Sequence, residues 1–253
     1  FLSEEAASDA QAQQESSAGG TEGSSVSILP SATAVTDWLD AVRTLPYVAV
    51  HPLIDGDPVT GTLVGLALAP GLNHPEREDS TPAKTPIGPA YVAADSPGFD
   101  RLLAWLADPS APKVAHGAKS LWIVLRQRVP SRETPLAGVV GDTQLGSFLL
   151  DPEKLIAQHH GLEAAARQFI QRTLPPRKRL TGSGKNEQAL ASLAIEEVAA
   201  YGATLASSVA EIWPHQHPTL ASRDQLTHLR DHDLPLSWLL AEMQRTGVRV
   251  DVP

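Results

Sequence analysis

Tyr47-Val-Ala-Val-His-Pro-Leu-Ile-Asp-Gly-Asp-Pro58, followed by Leu63-Val-Gly-Leu-Ala-Leu68, is the stretch on which the fold turns. Tyr47–Val50 is apolar and half β-branched, the pattern of a buried strand. Leu63–Leu68 reads as a second strand, and Gly56, Asp57 and Pro58 supply turn chemistry between the two. Outward from this pair, Val26–Leu29 alternates like a short strand. A helix then carries Val35, Trp38, Leu39, Val42 and Leu45 on one face, with Thr33 or Thr36 as its cap. Residues 70–89 are Pro-rich, charged and small, and read as an irregular loop. Ala90–Val92 is a third strand, Phe99–Leu106 a helix and Lys113–His116 a strand that feeds a helix from Lys119 to Arg128. Val139 and Val140 close the sheet, and Asp142-Thr143 caps a helix that runs to Leu150. Helices are then expected over Leu162–Gln171, Glu187–Ala200, Tyr201–Ile212 and Leu220–Leu229, punctuated by Pro175, Pro176 and Pro214. Strands with interspersed helices, then helices, make an α/β sheet domain covered by helices.

The 253 residues suffice for one large domain, and 42% hydrophobic residues allow a substantial core. The net charge of −9 denies the chain bulk attraction for phosphate backbones, so any nucleic-acid contact must be local. With no cysteine, disulfides, thiolate metal sites and thiol catalysis are excluded. No signal peptide or apolar run of membrane-span length is visible. Residues 3–25 carry hardly a large apolar side chain and are expected to be a disordered linker. A first residue of Phe1 rather than Met suggests an excised fragment.

The end of the chain is equally legible. In Asp233-Leu-Pro-Leu-Ser-Trp-Leu-Leu-Ala-Glu-Met-Gln-Arg-Thr-Gly-Val-Arg-Val-Asp251, Leu236, Leu239, Leu240 and Met243 recur at helical spacing as an apolar stripe. Pro235 suits the first turn and Gly247 the stop. Val248 and Val250 then alternate with Arg249 and Asp251 as in a short strand.

This stretch resembles the segment that opens the polymerase region of the bacterial DNA polymerase I family (family A). Three further stretches resemble parts of the 3′–5′ exonuclease domain that precedes it. Val114-Ala-His-Gly-Ala-Lys-Ser-Leu121 is similar to a strand and helix start that usually reads Val-Gly-x-Asn-x-Lys-x-Asp. Gly141-Asp-Thr-Gln-Leu-Gly-Ser-Phe-Leu-Leu150 is similar to Phe-Asp-Thr-x-Leu-x-x-Tyr-x-Leu. Gly182-Ser-Gly-Lys-Asn186, with Leu190, Ile195, Tyr201 and Trp213-Pro214 behind it, resembles the family's Gly-x-Gly-Lys-Asn loop and closing helices. The resemblance implies a ribonuclease-H-like mixed β-sheet flanked by helices, with a helical C-terminal extension. It divides the chain into a linker (1–25), a vestigial exonuclease-like domain (26–214) and connecting helices with the start of the polymerase region (215–253).

Active members of the family cut with two divalent cations, about 4 Å apart, held by three Asp and one Glu, and a Tyr orients the water. Where they end the first strand with Asp-x-Glu, this chain has His51-Pro52-Leu53. The Asp of the second motif falls on Leu121. In the third motif Tyr201 is kept, but the Asp four residues on is Leu205, and Thr204 and Ser207 replace the flanking acids. Leucine offers no lone pair, and Mg²⁺ prefers oxygen to imidazole. The expectation is therefore a degenerate exonuclease domain without metal or cofactor of its own, in which three leucines pack the former cleft. It would serve as a scaffold for the polymerase and 5′ nuclease domains of the same chain. The parent protein would extend primers on DNA with Mg²⁺, as a cytoplasmic, nucleoid-associated monomer without membrane contact. Two rival readings stand beside this one. One is an active exonuclease with relocated ligands at His51, Asp55 and Asp57. The other is a single-stranded DNA binding module that uses Arg177 and Arg179.

Other motifs read blandly. Gly182-Ser-Gly-Lys185 lacks the first Gly and the hydroxyl residue of a phosphate-binding loop, and no strand precedes it. His215, His217, His228 and His232 lack a companion set of ligands and read as surface residues. Asp55 and Asp57 read as solvated turn acids, Arg177-Lys-Arg179 as a solvated loop, and Tyr201 as a core or hydrogen-bonding tyrosine.

Overall fold

The computed structural model of the chain describes residues 25–72, 87–129, 133–153 and 160–249. The predicted linker (apart from Ser25), most of the 70–89 loop and the final strand residues from Val250 onward lie outside these.

Among the described residues, six strands form one mixed sheet in the order β1-β4-β3-β2-β5-β6. These are β1 (Ser27–Ile28), β2 (Val48–Asp55), β3 (Thr62–Pro70), β4 (Ala90–Ala93), β5 (Lys113–Ala115) and β6 (Val139–Asp142). β2 and β3 pair antiparallel, as do β3 and β4, while β5 runs parallel to both β2 and β6. β2 is longer than its apolar start predicts. It continues through Pro52 to Asp55, with a bulge between Leu53 and Ile54. Pro52 is tolerated because β5 pairs only with Val48, Ala49 and Val50. Beyond Val50 that edge of β2 makes no ladder bond for Pro52 to lose.

Both faces of the sheet are covered. On one lie α1 (Ala32–Val42), α2 (Phe99–Leu106) and α3 (Ala118–Arg126), packed on Val48, Val50, Leu66, Leu68 and Ala115. Ser31, rather than Thr33 or Thr36, caps α1, its side chain accepting from the Ala34 amide at 3.2 Å. On the other face lie α5 (Leu162–Ile170) and α7 (Ile195–Ser222), packed on Ala49, Leu53, Ala67, Ala69 and Val114. Strand alternation sends neighbouring residues of β2 to these two cores in turn. α4 (Thr143–Leu150) follows β6 directly, as the sequence predicts.

The helical half departs most from expectation. The sequence predicts helices over 187–200, 201–212 and 220–229. The structure instead has a short helix α6 (Lys178–Thr181), two 3₁₀ turns (Gly184–Asn186 and Leu190–Ser192) and then α7 as one continuous helix of 28 residues. Pro214 and Pro218 lie inside it rather than ending it. A proline within a helix deprives the carbonyl four residues back of its donor. For Pro214 that carbonyl belongs to Ala210, and the Tyr47 hydroxyl donates to it at 2.7 Å. The orphan is satisfied from the sheet, and the helix continues. After α7 come α8 (Gln225–His228), a π-helical turn (Leu229–Asp233) and α9 (Leu234–Thr246), with Pro235 in its first turn and Gly247 at φ 72° as its stop. Val248 and Arg249 are not in a strand.

Candidate functional site

Two of the motif positions, Leu53 and Leu205, meet in the core along the seam between the sheet and α7. Leu53 and Leu205 are both buried and belong to the same apolar core. The helix approaches closely at Gly202, where an added Cβ would lie 2.8 Å from Leu53 Cδ1 and 3.0 Å from Ala67 Cβ. Leu121 does not join them. It is buried in the opposite core beside Trp122 and Leu125, because α3 turns this side chain to its own face of the sheet. The expected plug of three leucines is therefore two leucines in the seam and one behind the sheet. Tyr201 is partly buried against the seam. Burial, then the charge of Glu163, pushes its hydroxyl pKa up, with Arg177 opposing.

His51 has a companion that its place in the sequence does not announce. Ala49 pairs with Val114 and Val50 with Ala115, so His51 and His116 follow one another onto the α7 face of adjacent strands. Each is only partly buried as a whole residue, yet His51 Nδ1 and His116 Nε2 are inaccessible and unpartnered. Thr143 Oγ1 lies 2.9 Å from His116 Nδ1 and donates to the Ala115 carbonyl at 3.3 Å. Burial pushes the His51 pKa down to about 4. Burial, then the neighbouring His51, pushes His116 down to about 3. Both rings are neutral at pH 7. Chain order separates the two histidines by an entire α/β passage, and only the parallel pairing of β2 with β5 reveals the pair.

The acids proposed as substitute ligands are otherwise employed. Asp55 accepts from Arg177 at 2.8 Å and from the amides of Leu190 and Ala191 at 2.8 and 3.0 Å. It is not a solvated turn acid, since it ends β2 and pins the second 3₁₀ turn to the sheet. Arg177 also donates to the Ile54 carbonyl at 2.6 Å, so it is an internal latch rather than a solvated loop residue. Asp57 caps its own turn through the Val59 amide at 2.8 Å. Asp142 does more than its motif predicts. It accepts from Gln144 and Leu145 at the start of α4, and from Gly117 and Ala118 at the start of α3. One buried carboxylate thereby caps two helices. Burial raises its pKa, opposed by those amides.

The remaining candidates stay apart from the seam. Gly182 and Gly184 adopt positive φ in the turn after α6. His217 lies edge-on to Trp213, and the His228 ring is 5.0 Å from His232 and 3.5 Å from Asp233. An open cleft of about 320 Å³ lies between Tyr91, Asp95, Arg128, Leu190 and Ile195. Among the described residues, no group of three or more His, Cys, Asp or Glu gathers in a way that could hold a metal ion. The donor set at the motif positions, one neutral imidazole and three hydrocarbons, does not fit a pair of hard divalent cations. No helix among the described residues is long and apolar enough to cross a membrane.

No protein-family model matches the chain. Curated relatives do. DNA polymerase I of Chloroflexus aurantiacus is 26% identical over 233 residues, 89% of this chain and 23% of the relative. DNA polymerase I of Rhizobium leguminosarum is 30% identical over 152 residues, 60% of this chain and 14% of the relative. The chain thus spans less than a quarter of the length of either. Among solved structures, the POL domain of Pol1 from M. smegmatis, in complex with DNA primer-template and dNTP, matches with a TM-score of 0.65 at 22% identity. That match covers 89% of this chain and 33% of the other. Brucella melitensis NrnC with bound Mg²⁺ matches with a TM-score of 0.59 at 17% identity, covering 87% and 92%. The fold is the ribonuclease-H-like mixed sheet flanked by helices that is expected from the sequence.

Proposed function

We propose that this chain, a relative of bacterial family A DNA polymerase I, is a 3′–5′ exonuclease-type domain that has lost its metal-dependent cut and persists as a scaffold. What carries the reading is the set of residues that the resemblance aligns with the family's four carboxylates, His51, Leu53, Leu121 and Leu205, of which Leu53 and Leu205 are buried in one apolar core beneath α7. Relocated ligands find little support, because Asp55 already accepts from three donors and Asp57 is committed to its own turn. Single-stranded DNA binding through Arg177 would compete with its bonds to Asp55 and Ile54.

In this reading the partners are the polymerase and 5′ nuclease domains of the same polypeptide. DNA is met through the parent protein, a cytoplasmic monomer, and Mg²⁺ serves the polymerase region alone. The test is release of nucleotides from the 3′ end of single-stranded DNA by the purified chain in Mg²⁺ or Mn²⁺. No metal-dependent release is expected. Release that disappears in His51→Ala would overturn the proposal and place a working site at the seam.

A further inference from the structure

The π-helical turn Leu229–Asp233 joins α8 to α9 and carries a pair of histidines. His228 ends α8 and His232 lies one turn further on, so the two imidazoles share a face. Their ring centroids are 5.0 Å apart and their planes are inclined by 36°. That inclination is neither the parallel offset nor the edge-on arrangement that attraction between rings favours. His228 Nε2 lies 3.5 Å from Asp233 Oδ1. Both histidines are exposed. The backbone beneath them is anchored: Leu229 and Leu234 are buried, Arg230 donates to the Val140 carbonyl of β6 at 3.3 Å, and Ser237 donates to the Asp233 carbonyl at 2.8 Å. Single π-helical turns recur at functional sites in helices.

We propose that His228 and His232 together chelate one divalent cation of the zinc type, with water in the remaining positions. Two imidazoles bound tetrahedrally to one zinc, at Zn–N of about 2.0–2.1 Å, have ring centroids about 5 Å apart, so the pair already stands at chelating distance. A carboxylate beside the second ring nitrogen is the usual outer support of a metal-bound histidine. Asp233 takes that place, drawing the Nε2 proton of His228 and leaving the Nδ1 lone pair for the ion. The donors choose the metal. Imidazole nitrogen suits zinc and its transition-metal neighbours, whereas Mg²⁺ and Ca²⁺ take oxygen. Charge agrees, because Asp231 and Asp233 outnumber Arg230 in the same turn. Among the described residues no third His, Cys, Asp or Glu completes the set. The site therefore keeps open positions, unlike a closed structural zinc centre. A bound ion would tie the end of α8 to the start of α9 across the π-helical turn. It lies apart from the seam, so the inference stands whether or not the domain cuts DNA.

The experiment strips the 253-residue chain with EDTA and titrates it with Zn²⁺ up to about 1 mM. NMR of the histidine rings follows binding, and thermal melts follow stability. The rings of His228 and His232 should shift together and saturate at a single ion per chain. Zn²⁺ should raise the melting temperature of the wild type, because the ion binds the folded state preferentially. Asp233→Asn should lower the affinity by about tenfold, as outer supports do, and His228→Gln or His232→Gln should lower it further and abolish the thermal shift. Melts in EDTA show whether a variant is destabilised without metal, and if one is, the ring shifts of the wild type decide alone. The inference is overturned if neither ring moves at the highest concentration, if only one of the two moves, or if Mg²⁺ shifts them equally. Wild-type affinity in the His→Gln variants would also overturn it, since the ion would then be held elsewhere on the surface.

Discussion

The seam beneath α7 and the outer face of α9 carry the same kinds of side chain in opposite circumstances. Leu53 and Leu205 are buried at positions where the resemblance implies carboxylates, whereas Leu236, Leu239, Leu240 and Met243, an apolar stripe at helical spacing, are exposed. Apolar periodicity marks a surface that avoids water, but it does not say which body covers it. In the seam the cover is the chain's own helix. At α9 the inward face is instead built from Leu234, Trp238 and Ala241, and the periodic stripe faces away from this domain.

The sharpest way to probe the seam is acid. His51 and His116 have folded pKa values of about 4 and about 3, against 6.5 for the free side chain. Above pH 6.5 both are neutral in folded and unfolded chains alike, and they add no pH dependence. As pH falls below 6.5, the unfolded chain takes up protons that the folded chain refuses, so stability falls with pH. The loss levels only once the folded rings charge too, near pH 4 and then pH 3. Denaturant titrations from about pH 7 to about pH 4 should show this decline, and His51→Leu should remove about one proton from its slope. Equal slopes for the two proteins would mean that His51 is not shielded in the seam.

The next effect is on packing. Leu205→Ala removes a buried α7 side chain from the core that covers this face of the sheet, and should cost roughly 2–5 kcal/mol by urea unfolding. A loss below about 1 kcal/mol would show that the seam collapses freely or admits water, and would reopen the space that the scaffold reading treats as closed.

The sheet and its flanking helices are legible in the sequence because their signals are local. Apolar runs mark the strands, and Asp142 with Thr143 marks the start of α4. The Asp-x-Glu position can be checked directly against His51-Pro52-Leu53. What escapes a sequence reading depends on contacts between distant parts of the chain. Pro214 looks like a helix breaker until Tyr47 is seen to satisfy the Ala210 carbonyl. Asp55 looks like a turn acid until Arg177, Leu190 and Ala191 are seen to donate to it. His116 gains meaning only beside His51, and Leu121 leaves the seam only because α3 packs on the other face.

The smallest effect is expected at α9. Leu239→Ala alters a side chain of the same type as Leu205→Ala, but one that is 60% exposed. In the isolated chain its stability change should fall within about 0.5 kcal/mol, as for surface positions that carry no packing. Helix propensity works in the same direction, because alanine is the better helix former by a few tenths of a kcal/mol. The difference between the two Leu→Ala variants, read by the same urea titration, therefore measures how much of each stripe this domain itself covers. A cost at Leu239 approaching that at Leu205 would show that the α9 face is closed within the isolated chain, and the contrast between the two regions would disappear.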